Sequence, residues 1–154
     1  MIENILVCLD GTELSESILP LATEIAEHFG SKIMLLNVLI VPLHLSGVGK
    51  VEVVLKQSSQ VSEREEEMDN YLERTAEPLR KRGLNVECIT VEGTVEESII
   101  ACARKYDVGL IAMASHGHSG LGRIILGSAT ESVLRKSGIP LLTVCPDKAV
   151  KAGV

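Results

Sequence analysis

Apolar residues along the chain form five short continuous runs, separated by segments in which they recur every three or four positions. A continuous run of this length is typical of a strand buried on both faces, and a spacing of three or four is typical of an amphipathic helix. The runs predict strands over residues 2–9, 33–41, 84–91, 108–113 and 139–145. The spaced segments predict helices over residues 12–29, 61–82, 94–105 and 128–138.

The alternation of strand and helix indicates the fold class. Alternating elements joined by right-handed crossovers give one parallel sheet with helices on both faces, an α/β architecture. The 154 residues are predicted to form a single domain over 1–154. Between residues 42 and 60 the pattern fails, and a short strand, a helical turn and a mobile flap all fit the residues there. The tail over 147–154 is expected to be loose.

The first predicted helix carries its own start and stop signals. Thr12 is an N-cap residue, and Gly30 follows the last turn, where glycine commonly ends a helix. Pro20 is expected to kink the helix, because proline removes one backbone N–H and crowds the carbonyl four residues earlier. The apolar face is predicted to consist of Leu14, Ile18, Leu21, Ile25 and Phe29.

Two later helices begin with Ser/Thr-x-x-Glu, the capping-box pattern. The pairs are Thr94 with Glu97 and Ser128 with Glu131. In the long helix over 61–82, Pro78 is expected to bend or loosen the last turn. The apolar stripe of that helix is predicted to consist of Met68, Leu72, Ala76 and Leu79.

Composition narrows the function classes. The net charge is −6 and aromatic residues make up 2% of the chain, so the sequence lacks the basic stripe and stacking aromatics that nucleic-acid binders use. No stretch approaches about 18 uninterrupted apolar residues, and the N-terminus has no basic region followed by a cleavage site. We therefore expect a cytoplasmic protein with neither nucleic acid nor membrane as a partner.

The cysteines and histidines do not show the spacing of a metal site. Four cysteines occur singly inside apolar stretches, which is typical of free buried thiols in a reducing compartment. They are Cys8, Cys88, Cys102 and Cys145. His116 and His118 alternate by two positions but have no third ligand nearby, so they are interpreted as loop imidazoles, exposed or beside a phosphate.

Residues 114–130 form the most informative segment of the chain. The glycines Gly117, Gly120, Gly122 and Gly127 let the backbone turn with positive φ and bring amide groups close to a ligand. The helix that follows adds unpaired N–H groups and the positive end of its dipole. The segment therefore predicts an anion site of the kind that binds phosphate. The alternative is a glycine-rich loop that only turns the chain.

A second polar loop, residues 10–12, also follows a predicted strand. In parallel sheets ligands bind beyond the carboxyl ends of the strands, where the strand order reverses, so both loops are expected to border one crevice. Asp10 has two interpretations: it accepts hydrogen bonds from a ribose or base or holds a cation, or it forms an Asx turn. The motifs of a P-loop, a dinucleotide fingerprint and a serine-hydrolase elbow are absent.

Three segments resemble one known family. Residues 5–12, ILVCLDGT, resemble the opening block of the universal stress protein family, and residues 139–144, IPLLTV, resemble its closing block. Gly117, nine intervening residues and Gly127-Ser128 match that family's ATP-binding signature of Gly-x-x-Gly, nine residues and Gly-Ser/Thr. Ala114 stands where the signature has its first glycine. The likeness spans residues 2–146.

The resemblance implies a five-stranded, flavodoxin-like or Rossmann-like parallel sheet with strand order 3-2-1-4-5. It also implies a stress-response regulator that binds ATP, ADP or AMP, with Mg²⁺ as a companion ion. Leu9, Asp10 and Val38 would line the adenosine pocket, and the later residues would surround the ribose and phosphates. The implied site consists of Cys8, Leu9, Asp10, Thr12, Val38, Ala114, Ser115, His116, Gly117, His118, Ser119, Gly120, Gly127, Ser128, Ala129 and Thr130.

Two alternatives to a nucleotide-binding regulator remain. One is a slow ATPase, for which His116, His118 and Arg123 are the only candidate groups in the loop. The other is a nucleotide-free stress protein, with Ala114 as the mark of lost binding. A homodimer is expected in every case, through the segment from Pro140 to Cys145, because an apolar edge strand there would need to be covered.

Overall fold

The computed structural model describes residues 1–40, 50–115 and 126–146, and of residues 50–60 only the backbone. The strands are β1 (Asn4–Cys8), β2 (Lys32–Leu39), β3 (Val86–Glu92), β4 (Leu110–Ala114) and β5 (Leu141–Val144). The helices are α1 (Glu13–Glu16), α2 (Leu19–Phe29), α3 (Lys50–Lys81), α4 (Val95–Lys105) and α5 (Ser128–Lys136). The predicted tail over 147–154 lies outside the described residues.

The five strands form one parallel sheet in the order β3-β2-β1-β4-β5. β1 lies at the centre, where Val7 pairs with Leu35 of β2 on one side and with Ala112 of β4 on the other. The chain first builds the sheet outward through β2 and β3 and then returns to the other side of β1. The predicted α/β fold class and strand order are confirmed.

Helices cover both faces of the sheet because the strand side chains alternate in direction. On one face, Ile5 and Val7 pack in a cluster with residues of α2 and α3. On the other face, Leu6 packs in a cluster with residues of α4 and α5. Both cores are built from aliphatic side chains, as strands buried on two sides require.

The segment predicted as one helix over 12–29 is two helices, separated at Ser17 and Ile18. Pro20 lies in the first turn of α2, where its missing N–H has no intrahelical acceptor to lose. The break changes which side of the helix faces the sheet, so Leu21 is 38% exposed and Phe29 is 48% exposed. The predicted Ile18 is buried and Ile25 packs against the same cluster, and the rest of the buried face is formed by Ala22 and Ala26.

The predicted helix ends are confirmed in part. Thr12 caps α1, since its Oγ1 accepts a 3.1 Å hydrogen bond from the Ser15 amide, and Gly30 ends α2 with a φ of 69°. Thr94 is the N-cap of α4, but its hydroxyl donates to the Glu97 carboxylate at 2.9 Å and makes no bond to a backbone amide. The second capping box is wrong, because α5 has Gly127 at its N-cap and no side-chain cap.

The long third helix begins earlier than the sequence predicted. Its backbone is helical from Lys50, which covers most of the stretch whose pattern failed, while residues 41–49 lie outside the described part. Leu72, Ala76 and Leu79 are buried against the sheet, as their spacing predicted. Among the described helices, none combines the length and apolarity needed to cross a membrane.

Candidate functional site

A cleft of about 520 Å³ opens at the carboxyl end of the sheet. It lies over β1, between β2 on one side and β4 on the other, which is the point where the strand order reverses. In parallel α/β sheets this position is the usual ligand site, because the loops diverge there and leave a crevice. The cleft is thus bordered by Asp10 of the first polar loop and by the described ends of the second, Ala114 and residues 126–128.

One half of the cleft is apolar. Its lining comes from the ends of three strands and the first turns of α4, and the residues are Cys8, Leu36, Val38, Val95, Ile99 and Met113. Burial raises the pKa of the Cys8 thiol to about 12, with a smaller contribution from Cys102, so Cys8 is a neutral thiol at physiological pH. Ile40, 63% exposed, lies at the rim. This half suits a flat, weakly polar group.

The other half of the cleft is the beginning of α5. Gly127, Ser128, Ala129 and Thr130 line it, and the N-cap residue Gly127 has no side chain that could accept a hydrogen bond from the helix amides. The first intrahelical bond is made by the Glu131 amide, which donates to the Gly127 carbonyl at 2.9 Å. The amides of Ser128, Ala129 and Thr130 therefore have no acceptor inside their own helix. Such amides and the positive dipole end attract an anion.

Asp10 forms an Asx turn at the end of β1. Its Oδ1 accepts hydrogen bonds from the Thr12 amide at 2.9 Å and from the Thr12 hydroxyl at 2.6 Å. The Asp10 amide donates to Ser15 Oγ at 3.2 Å. Asp10 also lines the cleft, so the turn holds a carboxylate at its edge. Thr12 itself is not part of the lining, because its side chain is used by the turn and by the cap of α1.

Ser115 connects the two ends of the glycine-rich segment. Its amide donates to the Val144 carbonyl at 2.8 Å, and its hydroxyl accepts a 3.2 Å hydrogen bond from the Gly127 amide. The side chain is fully buried and does not line the cleft. In this structure the hydroxyl of Ser115 contacts the backbone that starts α5.

The sequence-predicted site residues divide into three groups. The structure brings nine of them together around the cleft: Cys8, Leu9, Asp10, Val38, Ala114, Gly127, Ser128, Ala129 and Thr130. Two more, Thr12 and Ser115, lie beside the cleft without lining it. Five lie outside the described residues, namely His116, Gly117, His118, Ser119 and Gly120. Gly127 has a φ of −56°, so the positive φ expected for the loop glycines does not apply to it.

Sequence reasoning missed several lining residues, among them Asn37, Ile40, Val95 and Ile99. Asn37 had a visible signal, because it is the one polar residue in an apolar run. Its amide nitrogen donates to the Leu9 carbonyl at 2.8 Å and ties β2 to the end of β1, while its buried Oδ1 has no hydrogen-bond partner among the described residues. Val95 and Ile99 carried no signal, since they match an ordinary helix face.

Ala114, which replaces the first glycine of the signature, is compatible with its backbone. It is the last residue of β4, and Asp107 is the only non-glycine residue of the described ranges with a positive φ. Side chains alternate along a strand, so the Ala114 methyl points to the opposite face of the sheet from Met113, whose side chain packs on the α4 and α5 side. The extra methyl therefore requires no change of backbone conformation.

Comparison with known proteins identifies the family. The universal stress protein family model matches residues 1–144. The chain belongs to the universal stress protein family. Universal stress protein MJ0577 of Methanocaldococcus jannaschii is 40% identical over 79 residues, which are 51% of this chain and about half, 49%, of that relative. Universal stress protein YxiE of Bacillus subtilis is 27% identical over 94% of this chain and 99% of its own length.

Solved structures of this family share the fold. The structure of MJ0577 superposes with a TM-score of 0.72 at 29% identity, and the match covers 96% of this chain and 99% of that one. A universal stress protein solved in complex with cAMP has a TM-score of 0.68 at 17% identity, covering 94% and 97% of the two chains. These matches agree with the observed sheet of order β3-β2-β1-β4-β5.

The described residues give no direct sign of a metal site. Within residues 1–40, 61–115 and 126–146, no three His, Cys, Asp or Glu side chains come together. The described lining of the cleft contains a single carboxylate, Asp10, which is engaged in its turn. Mg²⁺ fits these donors only as a companion of ligand phosphate oxygens, since it prefers several oxygen ligands.

Proposed function

We propose that this chain is an adenine-nucleotide-binding regulator that holds ATP, ADP or AMP in the cleft over β1. The observation that carries the proposal is the division of one cleft into an apolar half and a half formed by the start of α5, where the N-cap residue is a glycine. A nucleotide has the same division between base and phosphates. Adenine nucleotides are the first ligands to test, because a protein of this family was solved with cAMP.

The base would lie in the apolar half. Leu36, Val38 and Ile99 offer aliphatic surface to its faces, and the neutral thiol of Cys8 adds no charge. Burying a planar ring against such surface is favourable by the hydrophobic effect. Bound nucleotide would order the glycine-rich segment and shift the conformations that partner proteins meet, which is the regulatory step of the proposal.

The phosphates would lie at the start of α5. The amides of Ser128, Ala129 and Thr130 supply donors there, and the helix dipole supplies favourable potential. Asp10 is the one charged side chain among the described lining residues, so the described part of the cleft neutralises no phosphate charge. Mg²⁺ bound to the phosphates would reduce their repulsion from this carboxylate.

Isothermal titration calorimetry with AMP, ADP and ATP at physiological magnesium tests the proposal, with GTP as the comparison ligand. Heat from the adenine nucleotides is expected, and its absence for all three overturns the proposal. Val38 and Val91 form a matched pair, because they are register partners on adjacent strands and only Val38 lines the cleft. Val38→Phe should abolish binding by filling the apolar half, and Val91→Phe should retain it.

The ATPase alternative has weaker support. Hydrolysis needs a group that positions water and charges that stabilise the leaving phosphate. In the described lining the only such group is Asp10, whose Oδ1 already accepts two hydrogen bonds. We expect at most slow turnover. Steady phosphate release that is lost in a His116→Ala variant would favour the enzyme.

A homodimer through β5 is the second part of the proposal. The two edges of the sheet differ. At the β3 edge, the Arg80 guanidinium donates to the Val86 carbonyl at 3.0 and 3.1 Å, so this outward-facing carbonyl already has a hydrogen-bond partner. All four residues of β5 are partly exposed, and Cys145 just beyond it is exposed. An open strand edge favours pairing with its twofold mate.

Light scattering after size exclusion tests the dimer. The wild-type chain should elute as a dimer at micromolar concentration, and a monomer would contradict this. Cys145→Lys should weaken the dimer, because a lysine at a strand edge opposes pairing. Asn70→Lys, at an exposed position of α3, is the matched charge control and should remain dimeric. The prediction of four buried thiols is wrong for three of them, because Cys8 and Cys88 are partly exposed and Cys145 is exposed, while Cys102 is buried. A cytoplasmic location stays a proposal.

A further inference from the structure

The hydroxyl of Ser115 occupies a position that neither the family signature nor the lining of the cleft explains. Ser115 is fully buried between the end of β4 and the start of α5. Its Oγ accepts the hydrogen bond from the Gly127 amide at 3.2 Å, twelve residues along the chain. The hydroxyl thus contacts backbone, and Ser115 is not among the residues that line the cleft. The contact with ribose or phosphate that the resemblance implied stays a prediction.

We infer that Ser115 is a positioning residue for phosphate: its hydrogen bond to Gly127, here named the latch, holds the start of α5 in the orientation that directs the amides of its first turn into the cleft. This inference rests on the proposed function. The latch joins Ser115, directly after β4, to Gly127, directly before α5. Ser115 is also held by β5, because its amide donates to the Val144 carbonyl.

The latch also determines which amides are available to phosphate. The Gly127 amide already has an acceptor in Ser115, so it is not a phosphate donor. The next three amides, of Ser128, Ala129 and Thr130, have no acceptor in their own helix. Phosphate contacts would therefore begin at Ser128, one residue later than the glycine of the signature. A small glycine remains useful at position 127, where the chain passes beside the anion.

Removing the latch should affect phosphate binding and leave base binding unchanged. In Ser115→Ala the start of α5 loses one hydrogen bond, and AMP affinity should fall about tenfold, the range expected for a lost hydrogen bond that orients a charged contact. Adenosine affinity should stay within about twofold, since adenosine has no phosphate and makes no use of these amides. A purely structural defect would lower the affinity for both ligands.

Ser31→Ala is the matched control. Ser31 is also a buried serine whose hydroxyl bonds to backbone, the Ile2 carbonyl, but it lies at the amino end of the sheet, away from the cleft. Both variants should lose comparable thermal stability, and only Ser115→Ala should lose AMP affinity selectively. Equal AMP affinity in wild type and Ser115→Ala would overturn the inference.

Amide hydrogen exchange, followed by NMR without any nucleotide, separates this inference from the proposed function. Exchange at Gly127 should be about tenfold faster in Ser115→Ala than in wild type, because its hydrogen-bond acceptor is gone. Unchanged exchange at Gly127 shows that the latch does not exist. If exchange rises but the wild-type chain binds no adenine nucleotide, the latch stands, and the proposed function and the positioning role fail.

Discussion

A Cβ placed on Gly127 would lie 3.9 Å from Thr130 Oγ1, an ordinary van der Waals contact, and no other atom of the described residues would be closer. The backbone of Gly127, with φ −56° and ψ 150°, is open to any L-residue. The described residues therefore place no demand for glycine at this position. We expect the demand to come from a ligand that approaches the backbone closely.

Gly127→Ala should consequently change ligand binding and not folding. We expect its unfolding free energy to stay within about 1 kcal/mol of wild type, since both residues are acceptable in this conformation. AMP affinity should fall at least about tenfold if phosphate passes against the backbone here. Calorimetry and urea unfolding on the same preparation measure the two quantities.

Gly30→Ala is the control for Gly127→Ala, and it should change the stability of the fold and not ligand binding. Gly30 has a φ of 69° with nothing within 4 Å of an added Cβ, so the substitution is strained by conformation alone. It should destabilise the fold by about 1 kcal/mol and leave AMP affinity unchanged. If Gly127→Ala binds AMP as wild type does, phosphate does not approach residue 127.

Part of the candidate site was predictable from the sequence, and part was not. Asp10 and the Gly127–Thr130 segment were predictable because polar residues that follow buried strands in an α/β chain meet at one sheet edge. Ile99 was not, since its contribution depends on how α4 packs over β1 and β2, which no local pattern encodes. The hydrogen bond from the Gly127 amide to the Ser115 hydroxyl was not predictable, because the direction of a serine hydroxyl follows from tertiary contacts.

The stability of the fold is expected to depend on pH through Tyr71. Its hydroxyl donates a 2.8 Å hydrogen bond to Glu16 Oε1, which ties α3 to α1. Burial, and then this carboxylate, raise the pKa of Tyr71 above its usual value. The folded state thus favours the protonated phenol. The contribution of Tyr71 to the free energy of unfolding is therefore complete below the unfolded-state pKa of about 10, and it is lost as the pH rises above that value.

Tyr71→Phe should remove that dependence. At pH 8 the variant should be less stable by about 1 kcal/mol, the usual value of one hydrogen bond. Between pH 9 and about 11 wild type should lose stability more steeply than the variant, so the difference between them narrows. Urea unfolding at several pH values measures this, and parallel curves for the two proteins would show that Tyr71 does not titrate with unfolding.

The cysteines are expected to differ in reactivity. Cys145 is exposed, whereas the Cys8 thiol is held protonated by a pKa of about 12. The thiolate is the reactive form, so iodoacetamide at pH 8 should modify Cys145 first and leave Cys8 largely unmodified. Peptide mass spectrometry measures the order. A Cys145→Ser variant is the control, and rapid labelling of Cys8 in it would contradict the neutral, protonated thiol.

The fold was predictable to the level of element order and less so at helix boundaries. Periodicity identified the α3 stripe of Leu72, Ala76 and Leu79 because one helix face alone meets the sheet. Periodicity gave the wrong boundaries for the α1–α2 segment, because apolar residues continue across the break and Pro20 resembles a kink inside one helix. Only the packing of Ile18, Ala22 and Ala26 on β1 and β2 shows that a new helix begins there.

The two helix prolines should therefore respond differently to substitution. Pro20 lies in the first turn of α2, so Pro20→Ala should change the unfolding free energy by less than about 1 kcal/mol. Pro78 lies inside α3, where proline removes one intrahelical hydrogen bond. Pro78→Ala should raise the unfolding free energy by about 1 to 3 kcal/mol. The upper end of this range is the difference in helix preference between alanine and proline. Urea unfolding of both variants at pH 7 decides the matter. A large gain from Pro20→Ala would mean that α1 and α2 behave as one kinked helix in solution.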